Sequence, residues 1–120
     1  MRGYVDEFGR ALMCLKVRSA QNSEPVELSV WVDTAFNGEL VAPQSVIESL
    51  GLEQSGGILA TLADGSRVTL ESYTCLVDWF AEQISVEIIA NSGQIPLLGI
   101  GLLVGHRLVV DYPTRSVTLD

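Results

Sequence analysis

Apolar and polar residues alternate with a period of two over most of the chain, the mark of strands with one wet face and one dry face. Ala11, Met13, Leu15 and Val17 share one face of a first run. Val26, Leu28, Val30 and Val32 repeat the pattern, which leaves Glu27, Ser29, Trp31 and Asp33 on the opposite face. The polar stretch Ala20–Pro25 has turn chemistry, so the two runs read as an antiparallel hairpin. A second hairpin is expected from Ile58–Ala63 and Arg67–Tyr73 around Asp64-Gly65, a dipeptide suited to a tight two-residue turn. Its second strand is expected to run on through Cys75, Val77 and Trp79. Ala81-Glu82-Gln83 reads as the next turn and Ile84, Val86, Ile88 and Ile89 as the strand after it. His106–Val110 and Ser116–Leu119 form a last pair around Asp111–Arg115.

The alternation breaks in two places. Pro43 suits the first position of a helix, Val46, Ile47 and Leu50 recur at helical spacing, and Gly51 can close the end. Further on, Ile100–Val104 has room for one or two helical turns. Many short strands with two short helices predict an all-β barrel or sandwich, in one domain spanning residues 1–120. No linker, low-complexity tract or long repeat interrupts it.

Composition narrows the partners. Fifteen acidic residues against 7 Lys plus Arg give a net charge of −8, and 48% of residues are hydrophobic. Phosphate backbones are bound by cations that displace counterions, so neither nucleic acid nor an anionic membrane surface is an expected partner. The longest apolar stretch, Ile95–Gly105, is broken by glycines and too short to span a bilayer. No cationic start followed by an apolar segment stands at the N-terminus, which leads to the expectation of a soluble cytoplasmic protein. Cys14 and Cys75 are far apart within apolar runs, where each is expected to behave as a small buried hydrophobe.

Most reactive centres are excluded by spacing. The lone His106 sits in an apolar run and reads as structural, and one His with two distant Cys makes no zinc site. No G-x-S-x-G turn exists for a nucleophilic serine. Gly99, Gly101 and Gly105 lack the βαβ unit of a dinucleotide loop. Asp64 and Asp111 belong to turns, Glu48 and Glu53 to a solvated helix and its exit, and Asp78 to an exposed position. Asp33 stands apart, an ionisable group where a core strand leaves the sheet, followed by the compact Thr34-Ala35-Phe36-Asn37-Gly38.

The stretch Val32-Asp33-Thr34-Ala35-Phe36-Asn37-Gly38 resembles the Asp-Thr/Ser-Gly loop of retropepsin-like aspartic proteases, in particular the compact bacterial and archaeal branch with Phe after the triplet. Pro96-Leu97-Leu98-Gly99 followed by Ile100–Val104 is similar to that family's two-hydrophobics-plus-glycine motif and short helix. The Asp64-Gly65 hairpin falls between the two, where the family carries its flap. The resemblance implies a small closed barrel, half an enzyme per chain, and a homodimer that brings two Asp33 carboxylates together. It implies a peptide or unfolded protein as substrate and no metal or cofactor. It further implies Thr34 and Ala35 as active-site loop and dimer brace, with Phe36, Asn37 and Gly38 facing substrate. Asp64 and Gly65 would lie in the flap, and Leu97, Leu98 and Gly99 would support the loop.

The departures from the family are specific. Ala35 takes the place of the triplet glycine, and its methyl would crowd a substrate backbone or demand a different loop geometry if only glycine suits the local φ/ψ. The arginine and acid that pair across this region in retroviral members correspond to Ile100 and Asn37, so both charges are absent together and a different brace is expected. A non-catalytic dimerisation or peptide-binding module on the same fold is the alternative expectation.

Overall fold

The computed structural model describes residues 1–61 and 64–120. Among these residues ten strands and two helices follow in the order β1 (Arg2–Val5), β2 (Ala11–Arg18), β3 (Val26–Val32), β4 (Leu40–Pro43), α1 (Gln44–Leu50), β5 (Gln54–Thr61), β6 (Arg67–Trp79), β7 (Glu82–Asn91), β8 (Leu97–Leu98), α2 (Ile100–Leu103), β9 (Leu108–Asp111) and β10 (Ser116–Leu119). All ten strands lie in one sheet of order β5-β6-β7-β4-β8-β3-β2-β1-β10-β9, and β6 also pairs with β2. That extra pairing joins β6-β7-β4-β8-β3-β2 into a closed six-strand barrel, with β5 left outside at one end and β1-β10-β9 at the other.

The barrel interior is filled by the alternating sets. Met13, Leu15, Val17, Val30, Leu40, Val77, Ile88, Leu98, Val117 and Leu119 are all essentially inaccessible, each contributing about 1.5–3 kcal/mol of hydrophobic burial. The β2–β3 hairpin has its expected register, with Leu15 opposite Leu28 and Val17 opposite Val26. Val26 itself is exposed, since it sits where the hairpin leaves the core.

Closure rests on a short seam. Among the described residues only Val17↔Val77 and Arg18↔Leu76 pair across it. The Arg18 guanidinium adds a two-pronged bond to Asp78, Nη2 to Oδ2 at 3.0 Å and Nε to Oδ1 at 3.2 Å. Asp78 is therefore half-buried and ion-paired, not the free surface acid its position suggested. Hydrogen bonds from Arg18 are the largest influence on its carboxyl and, with the Arg18 and Lys16 charges, hold it below the ordinary value against a smaller opposing effect of burial.

Helix α1 forms as its pattern predicts, with Ile47 and Leu50 buried. Pro43 precedes the helix at φ −59°, and Gly51 ends it in the left-handed conformation at φ 66°, its N–H bonded to Glu48 O at 3.0 Å.

Three expectations are corrected. The turn after β6 is Phe80-Ala81, not Ala81-Glu82-Gln83: Trp79 faces Glu82, and Phe80 and Ala81 both take positive φ, 48° and 65°. Two-residue hairpins favour that geometry because it matches strand twist, even without the usual Asn or Gly. At the other hairpin Thr61 pairs with Arg67. A regular two-residue turn at Asp64-Gly65 would place Thr61 opposite Val68, so the observed register is one residue away from the expected one. Leu62 and Ala63, assigned to the first strand of that hairpin, lie outside the described residues. Cys14 is exposed on the outer face of β2, while Cys75 is buried, and both are free.

Candidate active site

Asp33 is placed by a crossing of three strands. Short β8 runs parallel to β3, with Trp31 opposite Leu97 and Val32 opposite Leu98, and antiparallel to β4, with Leu40 opposite Leu98. The chain therefore leaves β3 on one side of β8 and returns as β4 on the other, and residues 33–39 must bridge over the end of β8. Asp33 opens that bridge. Its N–H donates to Leu98 O at 2.8 Å, extending the β3–β8 pairing by one residue. Its carboxylate Oδ1 accepts from the Ala35 N–H at 2.9 Å, and its carbonyl accepts from Phe36 N–H at 3.2 Å. Aspartate suits such a turn because its side chain bonds the backbone two residues on.

The bridge is clamped from below by Gly99 and α2. Gly99 N–H donates to Glu39 O at 2.9 Å, Ile100 N–H to Phe36 O at 2.8 Å, and Gly101 N–H to Gly38 O at 2.9 Å. A β-carbon on Gly99 would meet the carbonyl oxygens of Gly38 and Phe36 and the Phe36 ring. Glycine is required here for close approach, since Gly99 has an ordinary φ of −104°. The Phe36 ring also covers Gly38 and so seals the loop onto the motif. Ile100 and Asn37 make no ion pair, as their types dictate; main-chain bonds to α2 brace the loop instead.

Ala35 does not strain this arrangement. The non-glycine residues at positive φ among those described are Phe80, Ala81 and Arg115, so Ala35 lies in backbone open to any L-residue. Its N–H still reaches the carboxylate. Asp33 is half-buried, and Thr34, Ala35 and Asn37 are exposed.

The loop forms one wall of a cleft of about 620 Å³. Ala35, Phe36, Asn37 and Gly38 of the loop line it together with Ile58, Leu59 and Thr61 of β5, Leu70 of β6 and Ile89 of β7. The β5–β6 hairpin thus shares the cleft with the Asp33 loop and contributes apolar groups to it, Leu59 being 62% exposed. Asp64 and Gly65 sit at the hairpin tip, away from the cleft-lining set. Asp64 accepts from Ser66 Oγ and Ser66 N–H, which hold its carboxyl below the ordinary range, and Gly65 takes φ 85°.

Two further groups flank the loop that pattern reading did not select. Trp31 lies on the same strand face as Asp33 and is 38% exposed. Arg10 sits over it, its guanidinium carbon 5.8 Å from the Trp31 ring centre and 5.1 Å from that of Phe8, within cation–π range. Asp6 pairs with Arg10 at 2.6 Å. Burial alone raises the Asp6 carboxyl, but hydrogen bonds from the Arg10 backbone and side chain and the Phe8 amide together bring it below the ordinary value. Glu39 accepts from Glu87 N–H at 2.8 Å, tying the end of the loop to β7. Trp31 on a wet strand face was a signal in the sequence; Glu39 carried none, because its partner is a main-chain group forty-eight residues away.

Among the described residues no cluster of three or more His, Cys, Asp or Glu could hold a metal ion, and no helix is long and apolar enough to cross a membrane.

No protein-family model matches the chain, and no curated protein sequence does. Solved structures do. A retropepsin-like aspartic protease from Rickettsia conorii aligns with a TM-score of 0.66 at 16% identity, over 99% of this chain and 88% of that one. EIAV protease, solved in complex with the inhibitor HBY-793, aligns at 0.58 and 21% identity, covering 83% and 92%. The retroviral protease-like domain of Ddi1 from Leishmania major aligns at 0.50 and 14% identity, covering 91% and 88%. The chain has the retropepsin-like fold of aspartic proteases.

Proposed function

We propose that this protein is an aspartic endopeptidase whose catalytic pair is Asp33 from each of two identical chains. The observation that carries the reading is the placement of Asp33. It is a half-buried carboxylate at the exit of β3, oriented by the Ala35 N–H, on a loop clamped over Gly99 whose following residues, Ala35 to Gly38, line a largely apolar cleft. The retropepsin-like fold of the solved structures supports it.

The chemistry follows from two carboxylates brought together. Like charges at contact distance cannot both ionise, so the pair holds one proton between them and titrates as a unit. The ionised Asp33 takes a proton from a water held between the two, and the resulting hydroxide bonds to the peptide carbonyl carbon. The protonated Asp33 gives its proton to the carbonyl oxygen, which avoids a bare oxyanion. A proton then passes to the amide nitrogen as the C–N bond breaks. An extended peptide lies between the loop and the β5–β6 hairpin, with apolar side chains against Phe36, Ile58 and Leu59. Thr34, exposed next to Asp33, is free to bond across the two-fold axis.

The test is cleavage of a diverse peptide pool by the wild type and Asp33→Asn from acid to neutral pH, read by mass spectrometry. The substituted carboxamide cannot act as base, so the rate should fall by roughly 10²–10⁴-fold or more, with association and melting temperature little changed. Cleavage that persists in pure Asp33→Asn protein would end the proposal. Peptide binding without cuts in the wild-type dimer would instead favour the non-catalytic module, a reading motivated by the Ala35 methyl standing exposed beside the carboxylate.

A further inference from the structure

We infer that Glu87 is a positioning residue for the candidate site, tying the base of the β5–β6 hairpin and the end of the Asp33 loop to one point on β7. Hairpin and loop line the same cleft. Glu87 bonds the first through its side chain and the second through its main chain.

The hairpin side of the tie starts from a bulge. Gln54 lies opposite Tyr73 and Gly56 opposite Ser72, so Ser55 is an extra residue in β5 without a place in the ladder. A bulge re-aims a side chain. Here the Ser55 hydroxyl reaches past β6, donating to Glu87 Oε2 at 2.9 Å and lying 3.5 Å from Ser72 Oγ. Strands two places apart in a sheet run about 9.5 Å from each other, so this bond spans β6 instead of joining neighbours. Thr74, opposite Glu87 on β6, donates to Oε1 at 3.0 Å and steadies the carboxylate. β5 stands at the end of the sheet with β6 as its partner, and Gly56-Gly57 follow the bulge. Among the described residues the Ser55–Glu87 bond is the one hydrogen bond that carries β5 beyond β6.

The loop side uses the Glu87 main chain. The parallel β4–β7 ladder begins with Leu40 opposite Ile88, so Glu87 stands one residue before it, beside the loop. The carbonyls of Phe36, Gly38 and Glu39 already accept from Ile100, Gly101 and Gly99. The Glu87 N–H takes the Glu39 carboxylate instead, donating to Oε1 at 2.8 Å. An amide left without an acceptor away from water is costly, which fixes the Glu39 side chain in this seat. Gly101 makes room for it: a β-carbon there would meet Glu39 Cγ at 2.8 Å and Gly38 O at 3.0 Å. Both ties converge on a barrel strand whose next residues, Ile88 and Ile89, are buried. β7 thereby sets the spacing between hairpin and loop that a bound peptide meets. The inference rests on the peptidase reading for its effect on cleavage, while its first test reads hydrogen exchange.

Amide exchange of the full chain, read by mass spectrometry, compares the wild type with Ser55→Ala. Ser55 is exposed, so the variant keeps its fold, which melting curves confirm. Exchange across residues 54–61 should quicken about tenfold, because a hydrogen bond to a charged group is lost, while β2 and β3 stay unchanged. Glu87→Ala should quicken it at least as much, and adding Ser55→Ala to that variant should change nothing further, since the partner is already gone. Peptide cleavage then reads the two sides separately. Ser55→Ala should raise KM with kcat held within about twofold, because closing the hairpin over substrate costs more. Glu39→Ala frees the loop that carries Asp33 and should lower kcat about tenfold. Glu39→Gln, whose amide oxygen can still accept from Glu87 N–H, should recover most of that loss. Unchanged β5 exchange in Ser55→Ala overturns the inference, as do additive effects of Ser55→Ala and Glu87→Ala, or a Glu39→Gln variant as slow as Glu39→Ala. A wild type that cleaves nothing while Ser55→Ala quickens β5 exchange leaves the tie standing and counts against the peptidase reading alone.

Discussion

Gly99→Ala probes the clamp that holds the Asp33 loop. The new methyl would run into two main-chain oxygens, those of Gly38 and Phe36, as well as the Phe36 ring. The ring can rotate away, but the carbonyls belong to the loop itself, so relief requires the loop to lift from β8 and α2. Overpacking of this kind costs about 1–3 kcal/mol. Lifting also lengthens bonds at 2.8–2.9 Å from Gly99, Ile100 and Gly101 to the loop, each worth about 1 kcal/mol net. A loss of about 2–4 kcal/mol is expected overall. For a chain of this length it lowers the melting temperature by about 10 °C. Gly56→Ala is the control, since its added methyl meets only Ser72 Oγ at an ordinary 3.7 Å, and its change should stay within about 1 kcal/mol. Thermal and urea unfolding of both variants decides the matter. If Gly99→Ala melts within about 2 °C of the wild type, the close approach has slack and the steric argument fails.

The Arg18–Asp78 clip gives an acid-side prediction. The folded Asp78 carboxyl lies below its ordinary value, so its contribution is complete above about pH 4 and is lost as pH falls through the lowered value. Asp78→Asn should therefore destabilise at pH 7 and lose less stability than the wild type between about pH 5 and 2; parallel profiles for the two would contradict this. Burial, with Glu39 and Glu87 nearby, pushes the Cys75 thiol up to about 12. A thiol reagent at about pH 8 should thus label Cys14 in the native protein and reach Cys75 only in denaturant, and equal native labelling would refute the placement. Ala81→Gly relieves a left-handed alanine at φ 65° and should stabilise by about 1 kcal/mol, visible as a rise in the denaturation midpoint; a fall would mean that the turn is held by something other than strand twist.

What the sequence determined by itself is everything that depends on neighbours along the chain. The β2, β3, β6 and β7 runs follow from period-two alternation, α1 from its spacing and the Gly51 stop, and the ordered pair of Asp33-Thr34 and Leu97-Leu98-Gly99 marked the loop and its support. A periodic pattern records which face of a strand is wet, and it does so locally. It does not record which strand lies next door. β1 and β4 carry no clear alternation of apolar and polar residues and no turn that marks a hairpin partner, and each exists as a strand only because its neighbours supply a ladder. Barrel closure through two residue pairs, the exposure of Cys14, the turn at Phe80-Ala81 and the seat of Phe36 over Gly99 were all settled by contacts distant in sequence or by strand twist. Asp33 is legible as a residue but not as a site: its half-buried position over β8 arises only when β3 and β4 close on the same two leucines from opposite sides.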